Sequence, residues 1–302
     1  MLKRMGLLAL ALALALASCK KKETPPPADE QKAEPSKKEE PKQKVAILDP
    51  FGLGASPTAA KAGDFVLCPP REWIDKAMES GKPENQTFIF YGAHMVEPGP
   101  ALSKVTSQTG KEMEIPNYMI IPIRKGESAK PGDILLTQWQ SGSGMQRAMV
   151  VEGGTPTSPK VRYLDMDIDN PSGSGKRVDT CKPDTFHKLE KAWEPGTSVA
   201  AKSGMWSKRW KIVYIKGDRV LGVGFAGKMK VLSRKDCTPV PVRPDVKPNT
   251  AVWVPYIGSY KEGKVKKVDA AIGRVMTEIE FAGKKKEIAA PFVDVLTEKP
   301  GS

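Results

Sequence analysis

The chain has 302 residues, with 48 Lys and Arg against 35 Asp and Glu, a formal net charge of +13, two histidines and four cysteines. That length suits several small domains or one larger one. With His94 and His187 far apart and no serine or cysteine in a recognisable nucleophile setting, metal-dependent and Ser-His hydrolysis have little to work with.

Residues 1–18 carry Lys3 and Arg4, then an apolar run from Leu7 to Ala17 that closes on Ser18, ahead of Cys19. The run falls short of the ~20 apolar residues that a membrane-spanning helix needs. Lys20, Lys21 and Lys22 follow at once, so the segment reads as a secretory signal. Its Leu16-Ala17-Ser18-Cys19 ending resembles bacterial lipoprotein signals. The resemblance implies that Cys19 is the lipidation site, becomes the new N-terminus and anchors the chain to a membrane. Lys20 in place of aspartate implies the outer membrane. Removal of Lys3 and Arg4 leaves the mature chain basic. In that compartment the polyanions within reach are lipid headgroups, lipopolysaccharide or wall polymers, and nucleic acid is not expected.

Lys20 to Lys44 is rich in Lys, Glu, Pro, Ala and Gln and has no aromatic or β-branched aliphatic residue, so it cannot build a core. As a flexible coil these 25 residues span about 28 Å. Residues 19–60 are therefore assigned to the lipidated cysteine and a disordered tether. The more apolar Val45 to Ala60 either docks as an extra strand or continues that tether.

Beyond it the chain repeats. Phe-Ala-Gly-Lys stands at 225–228 and again at 281–284, and related Gly-Lys pairs stand at 110–111 and 175–176. Each is followed by a proline, at Pro116, Pro183, Pro239 and Pro291, and each unit opens similarly: Lys61-Ala-Gly-Asp, Lys130-Pro-Gly-Asp, Glu194-Pro-Gly-Thr and Lys247-Pro-Asn-Thr. A first short apolar strand is expected at Phe65, Ile134, Ser198 and Ala251. Second strands such as Trp210 to Tyr214 follow, then third strands at Arg219 to Phe225 and Arg274 to Phe281. Alternation places Leu221, Val223 and Phe225 on one face, and Val275, Ile279 and Phe281 on another. Ala-Gly then turns the chain into a fourth strand that proline ends. Phe-Ala-Gly-Lys thus reads as a core phenylalanine, a turn and a lysine leaving for solvent. The units are 61–128, 129–192, 193–245 and 246–302, the first carrying a longer insertion over Pro69 to Gln86 that suits a helix.

Val252-Trp-Val-Pro-Tyr-Ile-Gly-Ser-Tyr-Lys-Glu-Gly-Lys-Val resembles the first strand, aromatic loop and second strand of SH3-like barrels of the Tudor and Agenet type. The resemblance implies an all-β fold of tandem small barrels after the N-terminal tether. Barrels this small are individually marginal, so packing against neighbours through short proline-bearing linkers is expected, in a semi-rigid string. The resemblance also implies that Trp253, Tyr256 and Tyr260, with Trp206 and Trp139 in earlier units, supply ligand contacts, since aromatic faces attract weakly hydrated cations.

Asp165, Asp167 and Asp169 alternate with Leu164, Met166 and Ile168, which predicts an outward acidic row on a strand. A solvated face is one account of it and a loose calcium site the other. Neither an EF-hand nor a phosphate loop is supported, and no cofactor is expected. Cys68, Cys181 and Cys237 are too dispersed for a metal knuckle, and an exported setting permits one disulfide among them. The expectation is a non-catalytic, lipid-anchored envelope protein that binds a protein or polymer partner. The alternative is a structural spacer or envelope-attachment protein with no specific ligand site.

Overall fold

The computed structural model describes residues 48–166 and 176–301, and Cys19, the tether, Asp167, Asp169 and Gly175 lie outside them. The fold is all-β, in antiparallel sheets.

The first sheet is built from β1 (Phe65–Cys68), β2 (Tyr91–Glu97), β3 (Leu102–Ser107), β4 (Glu112–Pro116) and β5 (Ile121–Pro122), in the order β4-β3-β2-β1-β5. The second holds β6 (Ile134–Gln138), β7 (Met145–Thr155), β8 (Ser158–Tyr163), β9 (Val178–Thr180) and β10 (Phe186–Lys188), in the order β9-β8-β7-β6-β10. The third run is β11 (Ser198–Ser203), β12 (Trp206–Lys216), β13 (Arg219–Val223), β14 (Met229–Ser233) and β15 (Cys237–Pro239), with β11 pairing both β12 and β15. The fourth is β16 (Ala251–Tyr256), β17 (Ser259–Asp269), β18 (Arg274–Phe281) and β19 (Lys284–Pro291), with Leu296 bridged to Trp253 on β16.

One order therefore recurs: a four-stranded meander whose first strand also pairs with a short fifth segment. Ahead of that segment the chain makes a single tight 3-10 turn at Asn117–Met119, Arg234–Asp236 and Phe292–Asp294. The third and fourth sheets are joined where β12 meets β17, Lys208 opposite Ser259.

The expected first strands all form, because each is a short apolar run framed by turn residues. Of the Gly-Lys pairs, those at 110–111, 227–228 and 283–284 fall where the third strand turns into the fourth. At Phe281-Ala-Gly-Lys the link is a two-residue turn with φ +52° at Ala282 and +72° at Gly283, both in the left-handed region that a tight hairpin requires. Pro116 and Pro291 end β4 and β19, whereas Pro239 closes a fifth strand instead of a fourth. The insertion holds α1 (Arg71–Ser80), which turns Ile74 and Ala77 inward and stops at Gly81 (φ +62°).

One expectation is corrected. Residues 48–60 do not continue a disordered tether: Leu48, Phe51, Leu53 and Ala60 are buried, and Lys216 and Arg219 donate to the backbone carbonyls of Phe51, Gly52, Leu53 and Ala55. They form no strand; their apolar side chains simply find a core. The four units are not separate bodies: the described residues from 48 on belong to one compact unit. A single apolar cluster runs from Leu67 and Ile121 through Leu136 and Met149 to Val213, Leu221 and Val293. Burial shared in this way supplies the area that a small barrel lacks alone.

Candidate functional site

The largest exposed apolar side chains collect where the third and fourth strand runs meet. Met205 and Trp206 form the tip between β11 and β12, and Trp206 is half exposed. Lys261 on β17 lays its ammonium over the Trp206 ring at 3.6 Å from the centroid and lies 6.0 Å from that of Phe281. Phe281 in turn meets Tyr256 edge-on at 5.0 Å. Lys286 covers the other side of Tyr256 at 4.8 Å and donates to its hydroxyl at 2.9 Å. Beyond Tyr256 comes the turn Ile257-Gly258, and Phe225 packs against Gly258 so closely that a Cβ there would stand 3.0 Å from the Phe225 Cβ. Phe225 and Ile257 are 63% and 65% exposed, too much for core residues.

The result is a strip in which Lys261 bridges Trp206 and Phe281, followed by Tyr256, Ile257 and Phe225. Ile257 has φ +50°, a region costly for a β-branched residue. The chain thus accepts backbone strain to hold an isoleucine out in water, and strain of this kind gathers at functional positions.

The structure separates the five aromatics singled out from sequence. Tyr256 and Trp206 share the strip. Tyr260 is 5% exposed and packs with Ala200, Val240 and Leu296, and Trp253 lies against the same cluster. Tyr260 and the half-buried Trp253 point to the face of the β16–β17 hairpin opposite Tyr256, so neither belongs to the strip. Trp139 sits apart in the second sheet, donating from Nε1 to the Lys176 carbonyl at 3.1 Å. The two repeated phenylalanines, Phe225 and Phe281, are also corrected from core to surface. Gly224 interrupts the ladder before Phe225, and Phe281 is the last residue of β18, beyond the rim of the core.

Asp165 is not on an outward row. It accepts from Lys211 at 2.7 Å and from the guanidinium of Arg147, a side chain that is fully buried. Arg147 continues to Asp294, with Nη1 and Nη2 each at 2.9 Å from a carboxylate oxygen, and to Ser198 Oγ at 2.8 Å. Arg209 Nη1 closes the group on Asp294 at 2.7 Å. Burial alone would raise both carboxyls, but Arg147, with Lys211 at Asp165 and Arg209 at Asp294, outweighs it and holds each well below the usual carboxylate range. Burial pushes the Lys211 ammonium down to about 8.

This hub joins β7, the end of the β8 segment, β11, β12 and the turn after β19. Sequence reasoning missed it. Its signal was present, however, as one charge inside each of three apolar stretches: Arg147 in Met145 to Val151, Asp165 beside Leu164 and Met166, and Asp294 in Phe292 to Leu296.

His94 is exposed on β2, edge-on to Phe65 at 5.6 Å. His187 lies between Glu127 (2.6 Å) and Glu194 (3.5 Å), tying two linkers together. Cys68, Cys181 and Cys237 are free thiols, and burial pushes them up to about 12, 12 and 11. No group of three or more His, Cys, Asp or Glu able to hold a metal occurs among the described residues. No protein-family model matches the chain, and no curated protein matches it.

Proposed function

We propose that this is a lipid-anchored, non-catalytic protein of the bacterial cell envelope, built from four SH3-like barrels of the Tudor type, that captures a protein or anionic polymer partner. The barrel reading is supported by the recurrent order in which the first strand of a meander pairs with a fifth segment after a 3-10 turn. The anchor rests on the Leu16-Ala17-Ser18-Cys19 ending.

The observation that carries partner capture is the strip in which exposed Trp206, Phe281, Ile257 and Phe225 flank the half-buried Tyr256. A contiguous apolar patch rimmed by polar residues marks an interaction surface more often than a stray exposure does. Aromatic residues are also the ones that anchor interfaces. Lys261 already occupies the Trp206 face. The strip therefore serves as a flat aromatic and apolar platform with cationic edges, suited to a partner that offers apolar groups among acidic ones.

The test is recovery of a partner from the source organism's envelope fraction on the full chain, beside Trp206→Ala/Phe225→Ser checked for an unchanged melting temperature. Loss of the partner with the folded variant supports the platform, and equal recovery on both proteins refutes it. Incorporation of labelled palmitate that disappears in Cys19→Ser tests the anchor. The spacer reading has one observation in its favour, the shared core and buried hub that make the repeats a rigid body. It predicts that no envelope component is retained.

A further inference from the structure

The charges of the hub do not balance. Among the described residues it holds three cations, Arg147, Arg209 and Lys211, against two carboxylates, Asp165 and Asp294. With Arg147 fully buried, Lys211 10% exposed and Arg209 27% exposed, an excess charge held partly out of water is costly unless something compensates it. Arg147 is sealed in, but Arg209 and Lys211 both line a cavity of about 190 Å³ that opens to solvent where three sheets meet.

The first sheet contributes the backbone and side chains around Phe88 to Phe90, the second Ser143 to Gln146, and the third Arg209, Lys211 and Gly224. Neither cation is saturated. Lys211 gives one hydrogen bond, to Asp165, out of three available to an ammonium, and the Arg209 guanidinium meets Asp294 through Nη1 alone. A third group bears on the same site: Gln146 lines the cavity, and its Oε1 is buried without a hydrogen-bond partner among the described residues, so a turn of the amide toward the cavity would let a ligand satisfy it.

A ligand that satisfies all three must bring negative charge to Arg209 and Lys211 and a hydroxyl donor to Gln146 Oε1. A carboxylate or a sulfate has the charge but, once ionised, no proton to donate. A protonated phosphate monoanion has both. We propose that the three-sheet cavity is a binding site for a hydrogen-phosphate group, either free inorganic phosphate or the terminal phosphate of a monoester. The cavity is assembled only when the first three repeats pack together, and it is independent of the aromatic platform.

Calorimetric titration of the full chain with inorganic phosphate at pH 6.5 and constant ionic strength tests this, with sodium sulfate and glycerol phosphate as parallel titrants. Saturable phosphate binding is expected, at least tenfold tighter than sulfate, since a hydrogen bond within a charged site is worth about that factor or more. Glycerol phosphate binding as well as phosphate identifies a monoester site, and its exclusion identifies a site for the free ion; both support the proposal. Lys211→Met should weaken binding at least tenfold, and Gln146→Leu should erase the preference over sulfate. If Lys211→Met fails to fold, Ser143→Trp decides. Ser143 is exposed at the mouth, outside the hub, and a tryptophan there should block entry while leaving thermal unfolding unchanged. No saturable heat up to 10-millimolar phosphate, equal affinity for sulfate, or undiminished binding by folded Ser143→Trp would each overturn the assignment.

Discussion

Replacing Asp294 by asparagine keeps the side chain's shape and removes its charge. Asp294 is 1% exposed and accepts from Arg147 Nη1 and Nη2 at 2.9 Å, Arg209 Nη1 at 2.7 Å and Ser198 Oγ at 2.7 Å. In the variant one carboxylate faces three cations, and an amide N–H₂ is turned toward a guanidinium that can only donate. Removing one partner of a buried ion pair costs about 3–5 kcal/mol, a large part of the about 5–15 kcal/mol available to a folded protein. At roughly 2–4 °C per kcal/mol for a unit of this size, the melting temperature falls by about 10 °C. Scanning calorimetry with parallel urea unfolding measures it. Because the hub ties strands from three sheets, the whole unit should move as one transition. The damage comes from unbalanced charge, so adding Arg209→Gln to Asp294→Asn should recover about 1 kcal/mol or more in a double-mutant cycle. A loss below about 1 kcal/mol in the single variant, or a double variant as unstable as the two singles added, refutes this account of the hub.

The hub also sets the response to pH. Asp165 and Asp294 have depressed folded-state values, so their stabilisation is complete above the unfolded carboxylate value of about 4 and is lost as pH falls through the folded values. Urea midpoints should be level from about pH 5 to 7 and decline below 4, with a shallower decline in Asp294→Asn. Lys211 acts in the same direction in a higher window: with its folded value near 8 against about 10.4 unfolded, the unfolded chain binds more protons there and this group's contribution rises with pH. Lys211→Met should remove that rise, and a rise unchanged in the variant would assign it elsewhere. For Tyr260, whose buried hydroxyl finds no partner among the described residues, Tyr260→Phe should be neutral or stabilising, whereas Tyr260→Ala opens a cavity costing about 3–5 kcal/mol. A costly Tyr260→Phe would expose a missing hydrogen bond. Ile257→Asn, which suits φ > 0, should raise stability by about 1 kcal/mol while weakening partner capture. Ala282→Asn should give the same gain with capture intact, and Ile257→Asn that binds normally would remove Ile257 from the platform.

Local features were legible in the sequence, and relations between repeats were not. The first strands at Phe65, Ile134, Ser198 and Ala251 and the Gly-Lys hairpins follow from short-range rules: an apolar run, a glycine turn, period two. The same rules misplaced Phe225, because they assume an unbroken ladder and Gly224 ends β13 before it. They misplaced Phe281 for another reason: it has the parity of the buried Ile279, but lies at the end of its strand, where the core has run out. Asp165 looked like part of a solvated row because an alternating pattern says which face a residue takes, and nothing about whether other strands cover that face. Here β7 and β12 cover it with Arg147 and Lys211. Tyr260 was read with Tyr256 as one loop, although four residues apart across a tight turn they fall on opposite faces of the β16–β17 hairpin.

The repeated Phe-Ala-Gly-Lys bears on how a repeat protein acquires a surface. The turn itself serves folding, since left-handed Ala-Gly lets two strands close with the right twist at both copies. Its flanking residues are then free to differ in use. At 281–284 the phenylalanine leans on Tyr256 of its own repeat. At 225–228 the same tetrapeptide is held from outside: Phe88 donates its amide to the Gly227 carbonyl at 2.8 Å, and Lys228 reaches the Asn85 carbonyl. Far from leaving for solvent, that lysine docks the first repeat on the third, and the docking presents Phe225 toward the Ile257-Gly258 turn of the fourth. The platform and the phosphate cavity are thus both products of packing between repeats, and no single repeat contains either.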